Sequence, residues 1–317
     1  MKKLLTFIMC IVLAFASISF VSCSTTNNAK YTIATPDGAP TMAVAFLLKN
    51  KSQTYNGSII SGTDVAATLT KGEIDFVVAP TNAGMKVAML KGKYQIIATT
   101  SWGNLFLVGT TNIKSLEECS SAQEFLNQLN GASVDSIGSN QVPDISFKHL
   151  LGLAEVNCTI NASTDAQIIN ASLKNGTSSY GLLGEPAVTG ALNNVTGLKR
   201  LASISELWLE LVGTNFPQAS VFANKNLSIE QVQEFLFDLE HSINYLNHSA
   251  TTAEELGNYM QSRGDSTLKG ALVKACYKNM NQRFVLAKNC KQDIINFIQV
   301  LGVNYNPDTN SGVFYEN

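Results

Sequence analysis

Short apolar runs alternate with helical patterns along the first half of the chain, and this alternation constrains the fold more than any other feature. The apolar runs lie at 31–35, 57–61 and 75–79, and the helical patterns lie at 41–48, 64–70 and 82–90. Strands that alternate with helices are typical of βαβ units built around a parallel sheet. The sequence therefore predicts an α/β fold.

The same pattern returns further along the chain. Helical patterns and apolar runs alternate at 122–129, 132–137, 145–153, 158–161, 165–175 and 179–183. The C-terminal third is mostly helical, with apolar residues at helical spacing over 229–246 and 293–301. We expect these late helices to pack on the first lobe.

Two longer extended runs separate the two α/β patterns. The run 95–110 is too long for one strand and is broken at Trp102-Gly103-Asn104, so it predicts a connection that leaves the first lobe. The run 207–223, interrupted by Pro217, predicts the return. A chain of 317 residues can bury two medium cores. We expect one lobe from 31–107 with 216–317 and a second from 108–215.

The N-terminus has the pattern of a secretory signal peptide over residues 1–22. Two lysines precede an apolar run over 4–15, and small residues surround Ser22. A retained transmembrane helix is the alternative, but the run is short and is interrupted by Ser17 and Ser19. Residues 20–23, Phe-Val-Ser-Cys, resemble a bacterial lipobox, which implies lipidation of Cys23, a flexible tether over 23–30 and an extracytoplasmic, membrane-anchored protein.

Charge and metal-ligand composition argue against two broad classes of protein. A net charge of -2 provides no basic surface for nucleic acid. Three histidines and no C-x-x-C pair argue against a metal site, and no cofactor is expected. Cys276 and Cys290 are either a disulfide pair, favoured by the short intervening loop, or free thiols.

Small polar residues follow the predicted strands in both halves of the chain. Pro80, Thr81 and Asn82 follow one apolar run directly and begin a helix. Similar loops lie at 36–40, 61–63, 139–144 and 184–186. Ligands of parallel α/β sheets collect beyond the carboxyl ends of strands, near the free N–H groups of helix N-termini. Recurrence in both halves predicts a small-molecule site between the lobes.

A family resemblance rests on seven motifs that follow one another in the chain. They are TPDGAP, SGTDVAATLTKGEIDFVVAPTNAG, SWGNLFLVG, SNQVPDISFKHLL, YGLLGEPAVTGAL, FPQASVFANK and the terminal NFIQVLGVNYNPDTNSGVFYEN. From Tyr31 onward it resembles the solute-binding proteins of ABC importers, in the branch that includes nitrate, taurine, sulfonate and thiamine-precursor binders. The resemblance implies a type II periplasmic-binding fold, with two α/β lobes joined by two crossover strands. It also implies a monomer that delivers a small polar or heteroaromatic solute to a membrane permease.

The resemblance carries a set of ligand-binding positions onto this sequence. They are Asp37, Gly38, Ala39, Gly62, Thr63, Pro80, Thr81, Asn82, Trp102, Asn104, Ser139, Asn140, Glu185 and Gln218. Solute specificity does not transfer with them. The three arginines lie outside these loops in sequence, and Arg283 is the one kept as a candidate anion ligand.

Several of these residues have a structural alternative to ligand contact. Trp102 either stacks on a planar ligand or packs in the hinge. Glu185 either binds a ligand amine or hydroxyl or caps the helix that follows. Asp37 is more typical of a tight turn, whereas Gly38 allows close backbone approach to a ligand.

An enzyme on the same two-lobe scaffold is the alternative function, acting on a small metabolite, because fold does not determine function. The sequence contains no G-x-S-x-G nucleophile elbow, and the three histidines are scattered. The favoured interpretation is a binding protein that leaves its ligand chemically unchanged.

Overall fold

The computed structural model describes residues 29–163 and 165–317. The predicted signal peptide, Cys23 and most of the predicted tether lie outside these residues. Within them, no helix has the length and apolar character needed to cross a bilayer.

Eleven strands form two sheets in the described part of the chain. The strands are β1 (Tyr31–Pro36), β2 (Tyr55–Ile60), β3 (Phe76–Pro80), β4 (Tyr94–Ser101), β5 (Leu105–Gly109), β6 (Ser133–Ile137), β7 (Thr159–Ser163), β8 (Tyr180–Gly184), β9 (Lys199–Ser203), β10 (Ala219–Asn224) and β11 (Gln282–Leu286). The first sheet has the order β11-β4-β10-β3-β1-β2, and the second has the order β7-β6-β8-β5-β9. The predicted α/β class with two lobes is confirmed.

Helices cover both sheets. They are α1 (Ala39–Met42), α2 (Ala45–Asn50), α3 (Val65–Lys71), α4 (Thr81–Lys91), α5 (Ala122–Asn127), α6 (Val142–Leu153), α7 (Ala166–Asn175), α8 (Ala187–Asn194), α9 (Ile204–Val212), α10 (Ile229–His248), α11 (Ala250–Arg263), α12 (Gly270–Cys276) and α13 (Lys291–Val300). Helix α10 begins with a capping box in which Ser228 and Gln231 satisfy each other's backbone N–H groups.

The two sheets share one topology, because each contains a strand that arrives from the other lobe. Strands β1, β2 and β3 run parallel, as do β6, β7 and β8. Strand β10, the first after the return from the second lobe, is antiparallel to β3 and β4. Strand β5, the first after the exit from the first lobe, is antiparallel to β8 and β9. These are the two crossover strands of the expected hinge.

The chain changes sheets between Ser101 and Leu105 and returns between Ser203 and Ala219. The break expected at 102–104 therefore falls between β4 and β5. The exact lobe limits, 107/108 and 215/216, stay predictions.

The extended run expected over 207–223 is wrong over 207–212, which belong to helix α9. Ile204, Leu207 and Trp208 are buried along one face, at helical spacing, while Leu209 is exposed. The run of apolar residues concealed this period from the sequence analysis. The helix ends at Gly213, whose φ of 78° suits a left-handed C-cap.

Helix α4 lies so close to β10 that only glycine fits at one contact. A Cβ on Gly84 would lie 2.2 Å from the ring of Phe222. This close approach fixes the N-terminal turn of α4, and with it Thr81 and Asn82, against the sheet.

Aromatic side chains hold the first lobe together on the opposite face of its sheet. The ring of Phe235 on α10 stacks on that of Phe76 on β3, with 3.7 Å between centroids and 9° between planes. Tyr55 and Tyr31 extend this cluster, and all four side chains are fully buried.

Replacing Phe235 with alanine is expected to lower the free energy of unfolding by about 3 to 5 kcal/mol, because it removes a buried ring and leaves a cavity. Phe237, two residues along the same helix, is 75% exposed and is the matched control. Phe237→Ala should change stability by less than about 0.5 kcal/mol. Urea unfolding followed by circular dichroism measures both, and equal losses would contradict this packing.

Candidate functional site

A chain of hydrogen bonds joins the two predicted ligand loops through the hinge. The Thr81 N–H donates to the Gln218 carbonyl oxygen at 3.0 Å, and Gln218 Oε1 accepts from the Asn104 N–H at 2.9 Å. The Asn104 carbonyl oxygen accepts from the Glu185 N–H at 2.9 Å. The Pro80 loop of the first lobe and the Gly184 loop of the second therefore adjoin one hinge.

Strand register places the carboxyl edges of both sheets at this hinge. In the first sheet, Ala219 is paired with Pro80 on one side and Ser101 on the other, and Ser101 is also paired with Gln282. In the second sheet, Leu105 is paired with Gly184. Helix α12 packs across the lobes on α8, just beyond Glu185. We call this pair of facing edges the interlobe edge.

Several side chains of the interlobe edge are polar and almost fully buried. Asn104 is 6% exposed and Gln282 is 4% exposed. The side-chain oxygens of Asn82, Asn104 and Gln282 are buried and accept no hydrogen bond from any residue in the described part of the chain. Buried polar atoms are nearly always paired in folded proteins. Unpaired acceptors at one edge therefore suit a site where a bound ligand donates hydrogen bonds.

Glu185 forms a buried ion pair with Arg200. Its carboxylate accepts from the Arg200 guanidinium and, at 3.0 Å each, from the Thr189 N–H and hydroxyl. Arg200 also lies 4.5 Å from the ring centroid of Phe106. Burial raises the pKa of the Glu185 carboxyl above its ordinary value, although Thr189 and Arg200 oppose the shift. These internal bonds make Glu185 a positioning residue for its loop.

The Asp37 carboxylate also forms its hydrogen bonds within the first lobe. Its carboxylate accepts from the Ser266 hydroxyl at 2.6 Å and from the Thr267 N–H and hydroxyl at 2.7 and 2.6 Å. Gly38 has a φ of 101°, and a Cβ on it would meet no atom within 4 Å. Its backbone is thus open to close approach, as its neighbour Ala39 begins helix α1.

Trp102 packs in the hinge. Its side chain is 3% exposed, its Nε1–H donates to the Arg283 carbonyl oxygen at 2.9 Å, and the Arg283 guanidinium lies 4.4 Å from the ring centroid. These contacts occupy the ring and match the hinge-packing alternative.

Four predicted site residues lie on exposed loops at the interlobe edge. Gly62 and Thr63 follow β2, where the Thr63 hydroxyl pairs with that of Ser61. Ser139 and Asn140 follow β6, and the Asn140 N–H donates to the buried Asp144 carboxylate at 2.8 Å. Neither pair contacts the hinge chain through a hydrogen bond in the described part of the protein.

Sequence reasoning missed Arg200, Thr189 and Gln282. Thr189 lies four residues after Glu185, one helical turn, so its spacing was a usable signal. Arg200 lies on β9 and Gln282 on β11, two strands that the sequence analysis did not identify. Their positions beside the hinge follow only from strand pairing.

Cys276 and Cys290 are free thiols, so the disulfide alternative does not hold. They lie in separate apolar clusters. Burial raises the pKa of the Cys276 thiol to about 12 and that of Cys290 to about 11. Both are therefore protonated and unreactive at neutral pH.

Several solved structures that are similar to this one are described as components of transport systems. No protein-family model and no curated protein matches the sequence. An ABC transporter protein from Parabacteroides distasonis is 19% identical, with a TM-score of 0.72 over 90% of this chain and 98% of that one. A ligand-binding component of an ABC-type import system from Staphylococcus aureus is 12% identical, with a TM-score of 0.63 over 90% and 96%.

The periplasmic aliphatic sulphonate-binding protein of Escherichia coli is also 12% identical, with a TM-score of 0.61 over 85% of this chain and 86% of that one. At these identities the likeness concerns the fold. The expected resemblance to the sulfonate and nitrate branch of ABC-importer binding proteins is confirmed at that level.

Arg200→Met is expected to lower the free energy of unfolding at neutral pH by about 3 to 5 kcal/mol, because it leaves the Glu185 carboxylate buried without its cation. The loss should be larger at pH 8 than at pH 5. Arg200 lowers the pKa of the buried Glu185 carboxyl, so removing Arg200 raises that pKa further, and the variant loses additional stability as pH rises above the unfolded value of 4.5.

Lys274→Met is the matched control, because the Lys274 and Glu254 side chains form a 2.8 Å pair that is largely solvated. It should cost less than about 1 kcal/mol. Thermal unfolding at both pH values compares the two variants. A loss for Arg200→Met no larger than the control, or independent of pH, would contradict the buried pair.

Proposed function

We propose that this protein is the solute-binding component of an ABC importer. It captures a small polar or heteroaromatic solute between its lobes, leaves it chemically unchanged and presents it, as a monomer, to a permease in the membrane. The observation that carries the proposal is the hydrogen-bonded chain from Thr81 through Gln218 and Asn104 to Glu185, which brings loops of both lobes to one hinge.

Such an arrangement links binding to closure. A solute that contacts both carboxyl edges interacts with more of the protein when the lobes are closed, so it shifts the population toward that state. The closed shape is what a permease would recognise. The similar solved structures described as transporter and import components support this role.

The proposed site combines two kinds of residue. Direct contact is assigned to the loop tips and free amides of the interlobe edge, which are Gly38, Ala39, Gly62, Thr63, Pro80, Asn82, Asn104, Ser139 and Asn140. Positioning of these loops is assigned to Asp37, Thr81, Trp102, Glu185 and Gln218, whose polar groups are bonded within the protein.

Membrane anchoring through a lipid on Cys23 completes the proposal. It rests on the lipobox-like residues 20–23 and on the apolar N-terminal segment, and it would hold the lobes outside the cytoplasmic membrane. The polar residues 24–30 would link the lipid to the first lobe.

Asn82→Ala in the first lobe and Asn140→Gly in the second are each expected to weaken binding of the same solute by about three- to tenfold, the effect of one lost hydrogen bond. Glycine is used at Asn140 because its φ of 54° disfavours alanine. Native mass spectrometry identifies the solute retained through purification, and titration calorimetry measures its affinity.

The control is Asn127→Ala, an exposed position on α5 whose side-chain oxygen accepts a hydrogen bond from Gln123. It should bind the solute as the unchanged protein does. Absence of any retained solute, or unchanged affinity in both site variants, would contradict the shared cleft.

Cys23→Ser is expected to move the protein from the membrane fraction of its host to the soluble extracytoplasmic fraction, because the thiol that accepts the lipid is gone. Cys158→Ser, at a cysteine of the second lobe, should stay with the membrane. Immunoblotting of cell fractions measures both. A Cys23→Ser protein that remains membrane-bound would favour a retained transmembrane segment instead.

A further inference from the structure

We infer that the solute of the interlobe edge presents N–H or O–H donors to the protein and is not an oxyanion held through its oxygen atoms. This inference rests on the proposed function and adds the chemical class of the ligand. It follows from which atoms of the buried amides are already bonded and which are free.

The orientation of the Asn104 amide is determined by its neighbours. Its Nδ2 donates to the Glu185 carbonyl oxygen at 3.3 Å, so rotating the amide would bring two oxygen atoms together. Its Oδ1 is therefore the free atom, and no donor of the described residues reaches it. A methyl group on Gly184 would lie 3.6 Å from this oxygen, in ordinary contact, so the oxygen lies beside the Gly184 loop.

The Gln282 amide is oriented in the same way. Its Nε2 donates to the Ser101 hydroxyl at 2.7 Å and to the Met280 carbonyl oxygen at 3.3 Å. Its buried Oε1 accepts no hydrogen bond from residues 29–163 or 165–317. The amide lies beside the carboxyl end of β4, in the row of residues that also contains Pro80. Two amides from different segments thus leave an acceptor at the same edge.

Asn82 supplies a third acceptor, and no residue of the described chain forms a hydrogen bond with its side-chain amide. Its Oδ1 is buried and unpaired within the described chain, in the first turn of α4. Asn82 and Gln282 lie three strand spacings apart in the first sheet, so separate N–H or O–H groups of the ligand would pair with the oxygens that lie nearest to them. The oxygens of a sulfonate or nitrate would instead face the fixed oxygens of Asn104 and Gln282, where neither side can donate.

Fixed charges near the hinge add little attraction for an anion. The Arg200 guanidinium is paired with Glu185, and Asp37 adds a negative charge at the end of β1. Arg283 is the cation that argues the other way, since it stacks on Trp102. Arg283 is exposed and adjacent along β11 to the buried Gln282, and successive strand residues point to opposite faces.

The test compares four small probes on the purified protein. Cytosine and benzamidine carry N–H donors, without and with positive charge, whereas nitrate and methanesulfonate are oxyanions. Thermal unfolding at millimolar probe and titration calorimetry measure binding. We expect at least one donor probe to raise the midpoint and neither oxyanion to do so.

Asn82→Asp separates donor ligands from oxyanions by the direction in which their affinity changes, because a carboxylate can only accept hydrogen bonds. The donor probe should bind this variant as tightly as the unchanged protein or more tightly, whereas Asn82→Leu should weaken it about three- to tenfold. Asn127→Asp, an exposed position on α5, is the charge-matched control and should have no effect.

Each remaining outcome overturns the inference. Binding of nitrate or methanesulfonate that weakens in Asn82→Asp or is lost in Arg283→Ala would assign the site to oxyanions, and the proposed function would stand. If none of the four probes binds, three unpaired acceptors do not select a donor, and the inference fails. The retained-solute measurement above then decides the proposed function independently.

Discussion

The structure depends on the way Asn104 ties the two crossovers together. Its backbone bonds Gln218 on one side and Glu185 on the other, at the point where β4 of the first lobe gives way to β5 of the second. Because β5 and β10 each enter the opposite sheet antiparallel, the parallel strands of both lobes end at this hinge. Helices α4 and α8 begin just after β3 and β8, so the Pro80 and Gly184 loops both adjoin this hinge.

Polar groups at this edge divide into two sets with different physical roles. The carboxylates are paired within the protein. Asp37 accepts hydrogen bonds from Ser266 and Thr267, and Glu185 is paired with Arg200 and Thr189. Amide oxygens remain, and they are neutral acceptors whose desolvation costs less than that of a charge. An edge built this way can bury a guest without an unpaired ion. The rings of Trp208, Phe216 and Phe297 pack on one another, and Phe216 lies in the segment through which the chain returns to the first sheet.

Local patterns in the sequence predicted most elements and the loops at their ends, because apolar runs and helical spacing act over a few residues. The break at 102–104 and the helix near 229–246 are examples. Long-range pairing left no such signal. Asp37 meets Thr267 across 230 positions, and Glu185 meets Arg200 only because β9 lies beside β5. Strand β11, which carries Gln282, was hidden in a third of the chain whose pattern is mainly helical.

A crystal structure of the protein with the solute it retains through purification tests the central claim most directly. The account predicts electron density for the solute at the interlobe edge, in contact with the Asn82 turn of the first lobe and with the 138–141 or 184–189 segment of the second. A groove on the first lobe, lined by Lys86, Met89, Leu90, Gly302, Val303, Asn304 and Asn310, lies apart from that edge. A solute bound in this groove, touching one lobe alone, would contradict the account.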